Sequence, residues 1–184
     1  MSAEARLVIE ALQLACEVHS GQTRKNGVEP YVNHLAEVAA LCARHEPFDA
    51  TTVIAALLHD TVEDTGVDEA LLKERFGGEV ASVVMEVTDP PGLAEDERRR
   101  RQVEHTARAS WRAKLIKIAD KTSNVAEVAN QAPEGWSPER VLAYADWGRA
   151  VVDVCRGTDA ALEAEFDRAW RRAMAAGGAD EDAD

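Results

Sequence analysis

The chain has 184 residues, of which 46% are hydrophobic and 30% charged, and its formal net charge is -13. These values fit one globular domain with a sizeable core. The negative charge argues against a nucleic-acid partner, because a protein that binds the phosphate backbone needs a positive field. No segment approaches the ~18–20 apolar residues that cross a bilayer. We therefore expect a cytoplasmic protein with no membrane contact.

Apolar residues recur at a period of 3.6 along nearly the whole chain, which predicts an all-α fold. Asp49, Ser137 before Pro138, and Thr158 are typical of helix starts. We expect one domain over residues 1–174 with eight or nine helices. The predicted helices cover residues 4–20, 31–45, 50–64, 68–76, 78–88, 95–106, 110–130, 137–156 and 158–174.

Four features receive plain interpretations. Residues 175–184 carry four acids and no large apolar side chain, which predicts a disordered acidic tail. The connection from Asp89 to Glu95 is predicted to be a surface turn, with a segment that covers a site as the alternative. The basic run Arg98 to Arg101 follows three acids and is predicted to be a solvated helix face. The four tryptophans are expected in the core or at its rim.

The stretch HDTVED follows the apolar run VIAALL directly. On one continuous helix, His59, Glu63, Asp60 and Asp64 fall at roughly 0°, 40°, 100° and 140°, so they share one face. Acids beside a histidine at the end of a core helix are costly to desolvate without a cation. The stretch therefore indicates a metal site, with a solvated helix end carrying incidental acids as the alternative.

Two further segments offer metal ligands. His34 precedes an apolar helix face, where a single histidine is usually a packing residue. Asp120 lies on the same side of its predicted helix as Lys117 and Asn124, and its alternative role is a surface ion pair with Lys117 or Lys121. The order His, His-Asp, Asp across three helices resembles the signature of the HD metal-dependent phosphohydrolases.

The resemblance extends to a narrower family. Five segments are similar to consecutive blocks of the hydrolase domain of the RelA/SpoT family, especially its small alarmone hydrolases. These segments are GQTRKNGVEPYVNH, IAALLHDTVEDT, FGGEVASVVMEVTD, AKLIKIADKTSN and GWSPERVLAYADW. The resemblance implies a stand-alone hydrolase that converts the guanosine tetra- and pentaphosphate alarmones into GDP or GTP and pyrophosphate, and that does not synthesise them.

The resemblance also implies roles for individual residues. It makes His34, His59, Asp60 and Asp120 the ligands of one divalent ion, typically manganese, although these donors also suit other first-row metals. It makes Glu63 and Asp64 the acids that position and activate the attacking water. The expected substrate-binding residues are Arg24, Lys25, Tyr31 and Asn124 from the matching blocks, and Lys117 and Lys121 for their positive charge.

The chain departs from the family pattern at a few positions. Leu35 replaces a common proline, Ala126 a common arginine, and Thr122-Ser123 a more apolar pair. Leu35 should change only the local backbone, whereas Ala126 and Thr122-Ser123 leave the substrate open. The alternative is therefore another nucleotide, such as NADPH with its 2′-phosphate. A non-catalytic alarmone-binding module is a third possibility, which the presence of all six ligands and acids disfavours. The sequence does not fix the oligomeric state.

Overall fold

The computed structural model describes residues 2–178, and these form ten helices and no strand. The predicted all-α, single-domain fold is confirmed. None of the described helices is both long and apolar enough to cross a membrane. The helices are α1 (Ala3–Val18), α2 (Val32–Cys42), α3 (Ala50–Leu58), α4 (Thr61–Asp64), α5 (Glu69–Phe76), α6 (Gly78–Val87), α7 (Glu95–Thr106), α8 (Trp111–Asn130), α9 (Pro138–Asp153) and α10 (Ala160–Gly178).

Helix α8 lies at the centre of the bundle. It packs against α2, α3, α6, α7, α9 and α10. Its apolar residues Leu115, Ile116 and Ile118 are at most 1% exposed. The polar residues Asp120 and Ser123 of the same helix are also buried. A helix covered on nearly every side must supply partners for its buried polar groups, so the middle of α8 is where such groups converge.

Helix starts follow the local sequence signals. Asp49 accepts a hydrogen bond from the Thr52 amide at 3.2 Å, and Ser137 accepts one from the Arg140 amide at 3.4 Å, with Pro138 in the first turn. Each bond satisfies an N–H group that has no partner within its helix.

The predicted helix over residues 50–64 is wrong as one continuous element. Helix α3 ends at Leu58, and the single turn α4 begins at Thr61. Asp60 has φ -102° and ψ -2°, outside ordinary helical geometry. The Thr61 hydroxyl donates to the Leu58 carbonyl at 2.7 Å and satisfies a group that the break leaves free. His59 and Asp60 therefore lie in a turn, and the angles of one straight helix do not describe their directions.

The C-terminal helix differs from the prediction at both ends. The Asp159 side chain, and not that of Thr158, accepts from the Leu162 amide at 2.8 Å, so α10 begins at Ala160. The helix continues to Gly178, which makes residues 175–178 of the predicted tail helical. Gly177 lies against Leu142 of α9, where a Cβ atom would come within 2.7 Å of the leucine side chain. Residues 179–184 lie outside the described part of the chain.

Replacing Gly148 with valine should destabilise the protein. A Cβ atom on Gly148 of α9 would lie 3.0 Å from the Val125 side chain of α8, so a branched side chain must push the two helices apart. We expect a loss of about 1–3 kcal/mol, measured by thermal or denaturant unfolding. Gly78→Ala is the control, because its Cβ atom meets nothing within 4 Å. Equal stability of Gly148→Val and wild type would contradict the close packing of α8 and α9.

Candidate active site

Three of the four predicted metal ligands form a compact group. One ligand atom each from His34, His59 and Asp120 lies within 4.8 Å of the others, and all three residues are buried. They come from α2, the turn after α3, and α8. Residues from three helices thus meet at one point beside the core, as the predicted ligand set requires.

The Nε2 atom of His59 is the strongest indication that this group suits a cation. It is buried and has no hydrogen-bond partner. Asp60 Oδ2 lies 3.1 Å away, outside hydrogen-bond geometry. The other ring nitrogen is 2.8 Å from the Ala56 carbonyl oxygen. That carbonyl can only accept, so the Nδ1 atom carries a proton and donates it. When the His59 ring is neutral, as a metal ligand must be, its lone pair is therefore at Nε2.

The charges of the group also favour a cation. Burial works against a charge on His59, but the Asp60 carboxylate outweighs it and raises the pKa of His59 to about 9. Burial would likewise raise the pKa of Asp120, but the Lys121 ammonium group and the two imidazoles hold it well below its usual range. The two carboxylates thus keep their charges and attract positive charge to the space between the side chains.

Asp60 lies at the edge of the compact group. Its Oδ2 atom is 3.8 Å from His34 Nε2 and accepts a hydrogen bond from the Tyr31 hydroxyl. Burial alone would raise the pKa of Asp60, but His59 and His34 lower it by more than burial raises it. The carboxylate therefore stays charged. Tyr31, predicted to contact substrate, is therefore also the residue that orients one predicted metal ligand.

Glu63 and Asp64 lie next to the metal-ligand group. The Glu63 carboxylate accepts from the Asp89 amide at 3.1 Å and lies 3.5 Å from the Arg98 guanidinium. Partial burial and the charge of Asp60 raise the pKa of Glu63. The same two causes, in the same order, raise the pKa of Asp64 to about 6. Raised pKa values are typical of acids that exchange protons during catalysis.

A cleft of about 340 Å³ opens above these residues. This volume is in the range of small-molecule sites. Six lining residues are lysine or arginine and five are aspartate or glutamate, in a chain with a formal net charge of -13. The lining residues are Lys25, Tyr31, Asp60, Glu63, Asp64, Glu95, Arg98, Arg99, Gln102, Lys117, Asp120, Lys121, Asn124, Trp136, Arg140, Tyr144 and Trp147.

Four predicted substrate residues other than Tyr31 line this cleft. Lys25 donates to the Tyr144 hydroxyl at 2.8 Å, and Lys121 lies 3.0 Å from Asp120. Lys117 donates to the carbonyl of Val87 at the end of α6. Asn124 donates to the Asp120 carboxylate. These side chains therefore hold the walls together as well as facing the cleft.

Arg24 does not line the cleft. Its guanidinium is buried between Glu37 at 3.1 Å and Glu127 at 3.0 Å, and it contacts Ser123 of α8. It borders a second cavity on the other side of these residues. With both acids already paired to it, the guanidinium has no open face toward the cleft. The structure thus separates Arg24 from Lys25, its neighbour in the sequence.

The opposite wall of the cleft was missed by the sequence analysis. Trp136, Arg140, Tyr144 and Trp147 form it, and their spacing of four, four and three residues is a helical period that could have revealed a shared face. The Lys121 ammonium lies 4.1 Å from the Trp147 ring centre, and the Arg140 guanidinium lies 4.4 Å from that of Trp136. The wall thus combines aromatic faces with cations.

The structure adds to two of the plain interpretations. Arg98 and Arg99 of α7 face the cleft, although Arg99 also pairs with Glu95 as expected of a helix surface. The connection after Asp89 contains an exposed turn, as predicted, and it also borders a cavity together with Glu63 and Asp64. Local sequence patterns do not reveal either feature, because both depend on how α7 packs against α8 and α9 in the folded bundle.

Comparison with known proteins defines the class. Residues 11–144 match the HD domain model, so the chain belongs to the HD domain family. Within it, the chain is similar to proteins named guanosine-3′,5′-bis(diphosphate) 3′-pyrophosphohydrolase MESH1. It is 43% identical to that of Xenopus tropicalis, across 91% of this chain and 94% of that protein. It is 41% identical to that of Homo sapiens, across 89% and 92%.

A solved structure gives the same result for the fold. It was described under the words "A metazoan ortholog of SpoT hydrolyzes ppGpp and plays a role in starvation responses". It superposes with a TM-score of 0.86 at 41% identity, covering 93% of this chain and 96% of that one.

Replacing Asp64 with asparagine should stabilise the metal-free protein near neutral pH. The pKa of Asp64 is raised from 3.8 to about 6, so its folded state favours the proton. In wild type, the tighter binding of this proton stabilises the folded state fully below the unfolded pKa, and the stabilisation is lost as the pH rises through 6. Above pH 6 the charged carboxylate is therefore a cost that asparagine removes. Removing the charge should raise Tm by about 2–4 °C at pH 7.5 with EDTA, a gain that narrows below pH 6. A pH-independent gain would contradict the electrostatic cause.

Proposed function

We propose that this chain is a metal-dependent hydrolase that removes pyrophosphate from the 3′ position of guanosine-3′,5′-bis(diphosphate). The products are GDP and pyrophosphate, or GTP and pyrophosphate from the pentaphosphate. One observation carries the proposal. The group of His34, His59 and Asp120 lies beside two acids in a cleft that also carries six lysine and arginine side chains. The names of relatives that are 43% and 41% identical over most of their length support the substrate.

His34, His59, Asp60 and Asp120 would hold the ion. Two imidazoles and two carboxylates suit a first-row divalent metal, and we propose manganese as the resident one. When bound, the ion supplies a Lewis acid that makes water more acidic and polarises a phosphoryl oxygen.

Glu63 is proposed as the base that takes the proton of the attacking water. The Asp89 amide holds one of its oxygens at 3.1 Å, so the carboxylate has a fixed direction. The water oxygen forms a bond to the 3′-linked phosphorus as the bond from phosphorus to the 3′ oxygen breaks. The 3′ oxygen then needs a proton, which the newly protonated acid pair can return. Asp64, next to Glu63, is proposed to share this proton transfer.

The remaining cleft residues are proposed to bind the nucleotide. Lys25, Lys121, Arg98 and Arg140 would neutralise phosphate oxygens, because guanidinium and ammonium groups form strong charge-assisted hydrogen bonds with them. The aromatic wall of Trp136, Tyr144 and Trp147 would receive the base by stacking. Lys117 would position the cleft wall through its hydrogen bond to the Val87 carbonyl. Asn124 would position Asp120 through its hydrogen bond to that carboxylate.

Asp60→Ala should lose the metal. Its carboxylate lies between both imidazoles and is the most exposed of the proposed ligands. Wild type should bind one Mn²⁺ per chain and gain about 2.7 kcal/mol of stability at a free concentration of one hundred times Kd. Metal content and thermal unfolding with and without Mn²⁺ measure both effects. Asp96→Ala removes an exposed acid of α7 as a control. Stoichiometric metal in Asp60→Ala would contradict its assignment.

Glu63→Gln should separate binding from chemistry. With Mn²⁺ present, wild type should release GDP and pyrophosphate from guanosine tetraphosphate. In the variant kcat should fall by about 10²–10⁴, the usual value of general-base catalysis, at nearly unchanged Mn²⁺ content and KM.

Glu95→Gln is the matched control, because Glu95 lines the same cleft and pairs with Arg99 instead of facing the metal-ligand group. A kcat within a few fold of wild type for Glu63→Gln would move the base to Asp64.

Phosphate release from NADPH, with no pyrophosphate from the tetraphosphate, would favour the alternative substrate.

A further inference from the structure

The two ring nitrogens of His34 face different surroundings. Nε2 points to the metal-ligand group, 3.4 Å from Asp120 Oδ1. Nδ1 points away from it and lies 2.9 Å from the Ser123 hydroxyl oxygen on α8. The histidine is 1% exposed, so no bulk water competes for either nitrogen. Only the tautomer with its proton on Nδ1 leaves a lone pair on Nε2 for a metal.

Hydrogen counting at Ser123 decides which tautomer forms. Its hydroxyl oxygen lies 2.6 Å from the Glu37 carboxylate, 3.1 Å from the Arg24 guanidinium and 2.9 Å from His34. A hydroxyl has one hydrogen to donate and two positions that accept. The carboxylate can only accept, and the guanidinium can only donate. The serine hydrogen therefore goes to Glu37, and Ser123 must accept from His34 Nδ1.

His59 reaches the same tautomer by another route. Its Nδ1 atom faces the Ala56 backbone carbonyl at 2.8 Å, a fixed acceptor that no side-chain substitution removes. Ser123 alone is not a fixed acceptor, because a hydroxyl can turn and donate. The preference of His34 for Nδ1–H thus depends on Glu37, which lies three residues further along α2.

Arg24 holds Glu37 in this position. Its guanidinium bridges Glu37 at 3.1 Å and Glu127 at 3.0 Å, and it also contacts the Ser123 hydroxyl. The Glu37 side chain remains 45% exposed, since it borders the second cavity. It is therefore a side chain that can be changed without opening the core.

We propose that Glu37 is a positioning residue that acts through Ser123 to fix His34 in the tautomer with a free Nε2, and thereby sets the affinity of the site for a divalent cation. This inference rests on the metal site of the proposed function. Without the carboxylate, Ser123 is free to donate to Nδ1. The proton of the neutral ring then lies on Nε2, where it blocks metal binding.

The test compares Glu37→Ala, Glu37→Gln and Glu29→Ala. Glutamine keeps an oxygen that accepts from Ser123. Glu29→Ala removes a carboxylate of the same cavity that pairs with Asn33 and does not touch Ser123, so it controls for the change in net charge. Competition with a chelator gives the Mn²⁺ affinity. Long-range ¹H–¹⁵N NMR of the metal-free proteins at one pH shows which nitrogen of His34 carries the proton.

In wild type, Glu37→Gln and Glu29→Ala, we expect the proton on Nδ1 and similar Mn²⁺ affinities. In Glu37→Ala we expect Nε2–H to appear and the Kd for Mn²⁺ to rise about tenfold, the lower end of the range for outer partners of metal ligands, because Ser123 itself still contacts His34. Ser123→Ala, which removes the acceptor itself, should also lose the preference for Nδ1–H. Unchanged tautomer and affinity in Glu37→Ala relative to Glu29→Ala would overturn the proposal.

Neither measurement uses a nucleotide, so the result is separate from the proposed substrate. Wild-type protein that binds Mn²⁺ with Nδ1–H but releases no pyrophosphate would contradict the substrate and support the role of Glu37. Wild-type protein that binds no Mn²⁺ would overturn both.

Discussion

The buried carboxylate of Asp120 constrains much of this structure. It lies in the middle of α8, the helix against which most of the bundle packs, and is 6% exposed. A charge in that position is tolerated only with compensating charges and hydrogen bonds around it. Lys121, Asn124, His34 and His59 surround it for this reason. The ligand group of the site is thus also the means by which the core accommodates a charged residue.

The break between α3 and α4 has a similar double role. Because the chain turns at His59 and Asp60, one residue can place its ring against the core while the next lies at the edge of the cleft. The cost of leaving helical geometry is reduced by the hydrogen bond from Thr61 to the Leu58 carbonyl. Glu63 and Asp64 then follow on a separate helical turn. Their raised pKa values mean that their charged forms are disfavoured in the folded state, so these two acids lower the stability of the folded protein.

The electrostatic arrangement reconciles an acidic chain with an anionic substrate. A formal net charge of -13 repels a polyphosphate at long range. Salt screens that repulsion beyond a distance of about 8–10 Å, so the groups lining the cleft decide binding. There the lysine and arginine side chains come from α7, α8, α9 and the segment before α2. The acids proposed for chemistry and for metal binding lie among them, and each set of charges lowers the desolvation cost of the other.

The sequence by itself determined the helical fold, most helix starts and the residue types of the ligand group. These follow from signals that act over one or two turns: a period of 3.6, capping side chains, and the His-Asp pair after an apolar run. Only the tertiary structure decided which cations face the cleft. Arg24 and Lys25 are neighbours in the chain but face different cavities, and Arg140 became a wall residue through the packing of α9 on α8. The contact of Arg24 with Ser123 joins residues 99 positions apart, a distance over which local periodicity carries no information.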